Sequence, residues 1–99
     1  MTDLTETLKR IEGNKSVIGT LVIDADNKVI HSAFKNIDPE KYAERLPPLI
    51  ERAASMVKDI DAENSLTFLR IRTDKLEILI SPGEEYILIV IQNMVMIDT

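Results

Sequence analysis

Apolar residues recur along this chain with two periods, one near 3.6 residues and one near 2, and each stretch predicts an element. Leu4, Leu8 and Ile11 share one face of a short first helix. Asp3, followed by Glu6, predicts its N-cap and capping box, and Gly13 predicts a left-handed C-terminal residue. The run Val17–Ile23 is apolar in both alternating sets, as in a central strand covered on both faces. Asp24-Ala25-Asp26-Asn27 predicts a turn, because Asp and Asn bond their own backbone and tolerate positive φ. Lys28–Ala33 returns as a more polar strand suited to a sheet edge.

Asp38-Pro39 opens a second helix, with an acceptor at the cap and proline at the first position, where its missing N–H is harmless. Tyr42, Leu46, Leu49, Ile50, Ala53, Met56, Val57 and Ile60 then follow at helical spacing. Pro47-Pro48 interrupts them. An interior proline costs about 3 kcal/mol, so the pair predicts a kink, or a break with a restart at Pro48.

After Asp61-Ala62-Glu63-Asn64 the pattern switches to strands: Leu66–Thr73, Leu76–Ser81 and Tyr86–Gln92. Asp74-Lys75 and Pro82-Gly83-Glu84-Glu85 are the turns between them. Arg70 and Arg72 alternate with Leu69 and Ile71, giving one wet or partner-facing side and one dry side. Ile87–Ile91 is apolar on both faces and belongs at a sheet centre. Helices above and below such a sheet make a three-layer domain.

Composition narrows the partners. A chain of 99 residues buries roughly 65% of its unfolded surface, which leaves little area for a deep substrate pocket. Twelve basic residues scattered among 17 acids, net charge −5, do not suit a nucleic-acid backbone or an anionic membrane. With no cysteine there is no disulfide, zinc ribbon or thiol chemistry. The acidic N-terminus is not a signal peptide, and no run approaches the ~18 apolar residues of a membrane span. A cytoplasmic protein is expected, one in which Asn14-Lys15-Ser16 goes unglycosylated.

Candidate chemistry is sparse. His31, the only histidine, has Ser32 beside it, but Ser32 points to the opposite strand face. A surface histidine is expected. Asp24, Asp26 and Asn27 lack the spacing, central glycine and closing Glu of a calcium loop. Asp59 and Asp61 suit capping, and Gly13, Gly19 and Gly83 lie too far apart to cradle a phosphate. No enzyme, metal site or cofactor is expected.

Two blocks of the meander, Leu66-Thr67-Phe68-Leu69-Arg70-Ile71-Arg72 and Tyr86-x-Leu88-Ile89-Val90-Ile91-Gln92-Asn93, resemble the signature of the roadblock family of dynein light chains. Asp59-Ile60-Asp61 and the opening Glu6-Thr7-Leu8-Lys9-Arg10-Ile11 extend the resemblance over about the whole chain. It is weakest between Lys28 and Met56, and Pro47-Pro48 departs from it. The resemblance implies an α+β fold: a three-layer α/β/α profilin-like (roadblock) domain with a five-stranded antiparallel sheet in the order 2-1-5-4-3. A single domain would span 1–99, with 94–99 a short C-terminal tail.

In that order the third strand is an edge with no proline or inward lysine to block pairing. In roadblock-like proteins it pairs with its counterpart while the second helices pack together. The expected dimer interface is therefore Leu66, Phe68, Arg70, Arg72, Leu49, Ala53 and Met56. Relatives often carry a third helix over the face bearing the first helix, where only Met94–Thr99 follows here. A partner helix is expected on that face, against Leu4, Leu8, Ile11, Tyr86, Leu88, Val90, Met94 and Met96. The resemblance names that partner as the dynein intermediate chain. It implies a non-catalytic dynein light chain, paired with itself or another roadblock chain, that supports motor assembly and cargo attachment on cytoplasmic microtubules or in the ciliary axoneme. The alternative is a roadblock-type scaffold subunit of a small-GTPase regulatory complex.

Overall fold

The computed structural model describes residues 2–35 and 37–94, and all their side chains but those of Thr2 and Asp3. Helix α1 spans Thr2–Glu12, and strands β1 (Val17–Asp24) and β2 (Val29–Phe34) follow. Helix α2 (Pro39–Ile60) leads into β3 (Leu69–Arg72), β4 (Leu76–Pro82) and β5 (Tyr86–Asn93). The sheet is antiparallel throughout, in the order β2-β1-β5-β4-β3. The two most apolar strands lie side by side at its centre, with Leu21 opposite Ile89 and Ile23 opposite Ile87. The expected α+β roadblock architecture is found.

Each face has its own helix. Leu21, Ile23, Ile78, Ile80, Ile89 and Ile91 form one buried face, closed by Leu46 and Ile50 of α2. On the other face Val17, Thr20, Val22 and Val90 are buried, with α1 packed over β1 through Leu8.

Helix α2 starts where the sequence predicts: Asp38 Oδ1 accepts from the Glu40 N–H at 3.0 Å, and Pro39 is first. It ends at Asp61, whose N–H donates to the Val57 carbonyl. Of the kink or break expected, the break does not occur: the helix runs through Pro47 and Pro48 as one element. Leu46 and Ile50, one turn apart, are 5% and 4% exposed in the core and hold the backbone helical from both sides of the pair. Burying two such side chains contributes about 3–6 kcal/mol, enough to offset much of the proline cost.

Three smaller expectations are corrected. Helix α1 already includes Thr2, so Asp3 lies inside its first turn rather than at its cap. Gly13 is not left-handed; its N–H closes a right-handed turn onto the Lys9 carbonyl at 3.1 Å. Strand β3 covers Leu69–Arg72 instead of Leu66–Thr73. In the β3–β4 register Leu69 faces Ile80, so Thr67 would face Pro82, which has no N–H and ends β4. By contrast, the turn after β1 is as expected: Asp24 Oδ1 accepts from the N–H groups of Asp26 and Lys28, and Asn27 takes φ 63°.

Candidate functional site

Among the described residues the outer edge of β3 is the end of the sheet, with β4 its only neighbour. Its four residues alternate as read from the sequence: Leu69 and Ile71 turn toward the α2-side core, Arg70 and Arg72 toward solvent. Exposed apolar side chains lie before it and along α2. Phe68 is 51% exposed, and Leu49, Met56 and Ile60 are 42%, 54% and 78% exposed. With half-buried Ala53, the α2 residues recur every three or four positions, so they make one stripe beside the buried face. Leu66 is half-buried in the irregular segment before β3.

On the opposite face, residues directly across the ladder form rows. Arg70 faces Leu79, which faces Val90; Arg72 faces Glu77, which faces Gln92. Glu77 is 2% exposed, a buried carboxylate on a mostly apolar strand. Arg70 Nε pairs with its Oε2, Arg72 Nη2 reaches the same oxygen at 3.4 Å, and Gln92 Nε2 donates to Oε1 at 3.2 Å. Burial alone pushes the Glu77 pKa up, but the hydrogen bonds and charges of the two arginines outweigh it and hold it below the ordinary value. The sequence reading missed Glu77. The signal was the Asp74-Lys75 hairpin turn, whose register sets Glu77 opposite Arg72 and diagonal to Arg70.

His31 is half-buried rather than simply a surface group. Glu12 Oε2, at the end of α1, lies 2.8 Å from His31 Nε2 on β2 and accepts from Thr20 Oγ1 on β1 at 2.6 Å. Burial raises the Glu12 pKa, and the bonds from Thr20 and His31, with the charges of His31 and Lys35, lower it further than burial raises it. The Thr20 hydroxyl donates to the carboxylate and not to the imidazole, so this is a clamp fixing α1 to the sheet, not an activated nucleophile. Among the described residues no group of three or more His, Cys, Asp or Glu is placed to hold a metal ion, and no helix is long and apolar enough to cross a membrane.

Of the residues expected to meet a partner helix, Leu8 and Val90 are buried within the chain itself. Leu4, Ile11, Tyr86, Leu88 and Met94 are half-buried, and Met96 lies outside the described residues. Between α1 and β4 runs an open groove of about 350 Å³ with Ile11, Leu79 and Val90 among its lining and Arg10 at its rim.

A family model described as the Roadblock/LC7 domain matches residues 3–93. Among solved structures, Myxococcus xanthus MglB is similar with a TM-score of 0.72 at 20% identity, over 86% of this chain and 71% of that one. The gliding protein MglB of Thermus thermophilus gives 0.73 at 13% identity, over 92% and 71%. A Roadblock/LC7 domain from Streptomyces avermitilis gives 0.70 at 14% identity, over 84% and 71%. At these identities the likeness is one of fold.

Proposed function

Given that the chain belongs to the Roadblock/LC7 domain family, we propose that it is a non-catalytic scaffold subunit that dimerises and serves a small-GTPase regulatory complex. The observation that carries the reading is that the chain has both an open β3 edge and the exposed stripe Leu49, Met56 and Ile60 on α2. Exposed side chains of that size on one helix mark a protein contact. A sheet edge without proline or inward lysine is a ready template for a second copy. The dimer is built from β3 against β3 and α2 against α2. Because β3 is only four residues long, α2 supplies more of the seam than the sequence suggests.

Of the two roles considered for such a scaffold, the dynein light chain has the weaker support. The similar structures named above are bacterial MglB proteins and a Streptomyces domain, not dynein subunits. They favour the GTPase-complex reading and leave the dynein intermediate chain, cilium and axoneme without support.

Sedimentation analysis tests the dimer, and affinity isolation from the native cell with mass spectrometry tests the complex. A dimer that co-isolates with a small GTPase is the expected result. A monomer at tens of micromolar, or isolation with a dynein chain and no GTPase, overturns the reading.

A further inference from the structure

The sheet has a second open edge. Among the described residues β2 has β1 as its only strand neighbour, and its Val29, Ile30 and Ser32 are exposed. Which backbone groups it offers follows from the ladder. The Lys35 N–H donates to the Ile18 carbonyl at 2.9 Å, so Lys35, and by alternation Ala33 and His31, bond inward to β1. Ser32 and Phe34 therefore turn their N–H and C=O groups outward. Ile30 is the extra residue of a bulge opposite Val22 and Ile23 and has no counterpart on β1. The strand holds no proline, and a hollow of about 180 Å³ beside Val29 and Ser32 leaves this stretch of edge uncovered.

Charge decides what can pair there. The ionisable side chains on the strand and at its two ends are Lys28, His31 and Lys35, all basic. Glu12 offsets one of these charges and is already bonded to His31 and Thr20. By the ladder alternation His31 and Lys35 lie on the α1 face, as Arg70 and Arg72 do on β3. Joining β2 of one copy to β3 of another would line up like charges, which is unfavourable. Two β2 strands avoid this in one register. Outward residues must meet outward residues, and centring the pair on Ser32 sets Ile30 against Phe34 and His31 against Ala33. Lys28 and Lys35 then fall beyond the paired stretch. Sliding by two residues sets His31 against His31 or against Lys35, and larger slips leave half the strand or less paired.

We propose that the β2 edge is a site of self-association, at which two copies pair residues 30–34 antiparallel about Ser32. The exposed Ile30 of each copy meets Phe34 of the other, an aliphatic–aromatic pair of the kind that stabilises sheets. A two-fold axis beside Ser32 keeps the α1 helices on one face, so the sheet continues from copy to copy. With both edges engaged by two-fold contacts, dimers joined at β3 line up in a row that stays open at its ends. The paired stretch is short, so this contact is weaker than the α2 seam. The site goes beyond the function proposed above and stands without it, since β2 pairs two copies whether or not β3 does.

The chain has no cysteine, so one introduced thiol reports the register. Residues facing each other in such an outward pair lie about 5.5 Å apart at Cα, inside the span of a disulfide. In glutathione buffer, Ser32→Cys should form a disulfide-linked dimer at least about tenfold faster than Val29→Cys. Val29 is also exposed, but in this register it lies about 20 Å from its own counterpart. Sedimentation at about 10 µM and about 1 mM should show the wild-type assembly at least doubling in size with concentration. Ser32→Pro removes an outward N–H without touching the ladder to β1, so it should keep its circular dichroism and its low-concentration size throughout. Equal cross-linking rates, a wild type that does not grow, or a Ser32→Pro protein that grows like wild type overturns the proposal. Growth of the wild type without a Ser32→Cys cross-link marks copies joined β2 to β3 and also overturns it. The cross-linked product separates this site from the seam. It sediments as a tetramer or longer where the dimer assigned above holds, and as a dimer where that reading fails.

Discussion

Gly19 sits directly opposite Phe34 across the β1–β2 ladder, and a methyl group built on its Cα would lie 2.6 Å from two atoms of the phenyl ring. The ring is in turn stacked on Tyr42 of α2, with centroids 5.8 Å apart. Gly19 is thus the gap that lets β2 carry an aromatic bracket to α2. Gly19→Ala should cost about 1–3 kcal/mol, as an overpacked core does. A compensating Phe34→Leu should recover part of the loss in thermal denaturation. A Gly19→Ala protein that melts with the wild type would show that the ring has room to move.

Replacing Pro48 should stabilise the chain. The helix already runs through it, and Pro48 is exposed, so Pro48→Ala restores a backbone donor without disturbing the core. The gain is bounded by the roughly 3 kcal/mol an interior proline costs, and about 1–2 kcal/mol is expected in denaturant unfolding. A loss of stability would mean that the ring makes a contact worth more than the missing hydrogen bond.

Acid should loosen both layers. Glu12 and Glu77 are held below their ordinary value of 4.5, so the unfolded chain binds protons first as pH falls. Their stabilisation is complete above that value and is lost as pH drops below it. Melting temperature should be flat from about pH 7 to about 5 and fall as the pH drops below that range. Glu12→Gln should be less stable at neutral pH and show a shallower acid slope. An unchanged slope would place the acid sensitivity elsewhere.

Met56 tests the seam without touching the fold. It is 54% exposed, so Met56→Glu should leave the circular dichroism and melting of the monomer intact. In a dimer it buries two like charges, and the dimer dissociation constant should rise at least about tenfold. A variant that remains as tightly dimeric as the wild type would move the interface off α2.

Much of the sheet was legible because its signals are local. The doubly apolar runs Val17–Ile23 and Ile87–Ile91 mark strands needing cover on both faces, and they are the central pair. Asp38-Pro39 states a helix start in two residues, and the start is there. Where the expectations failed, a distant partner decided. Pro47-Pro48 reads as a break unless Leu46 and Ile50 are known to be anchored on the sheet. Leu66–Phe68 reads as strand unless the β3–β4 register is known, which extended by two residues would set Thr67 opposite Pro82.

By itself the sequence determined the class, the element order, the alternation on β3 and the family, all properties of residues close together along the chain. Only the tertiary structure placed Glu77 beneath Arg70 and Arg72 and drew Glu12, Thr20 and His31 to one point. Glu77 and Gln92 are neighbours only through strand register, and Glu12 meets His31 only once α1 has packed on the sheet. Charges are expensive to bury and cheap to leave in water, so composition does not show which acid has gone inside. The packing of the apolar core selects it, by fixing which strands lie side by side.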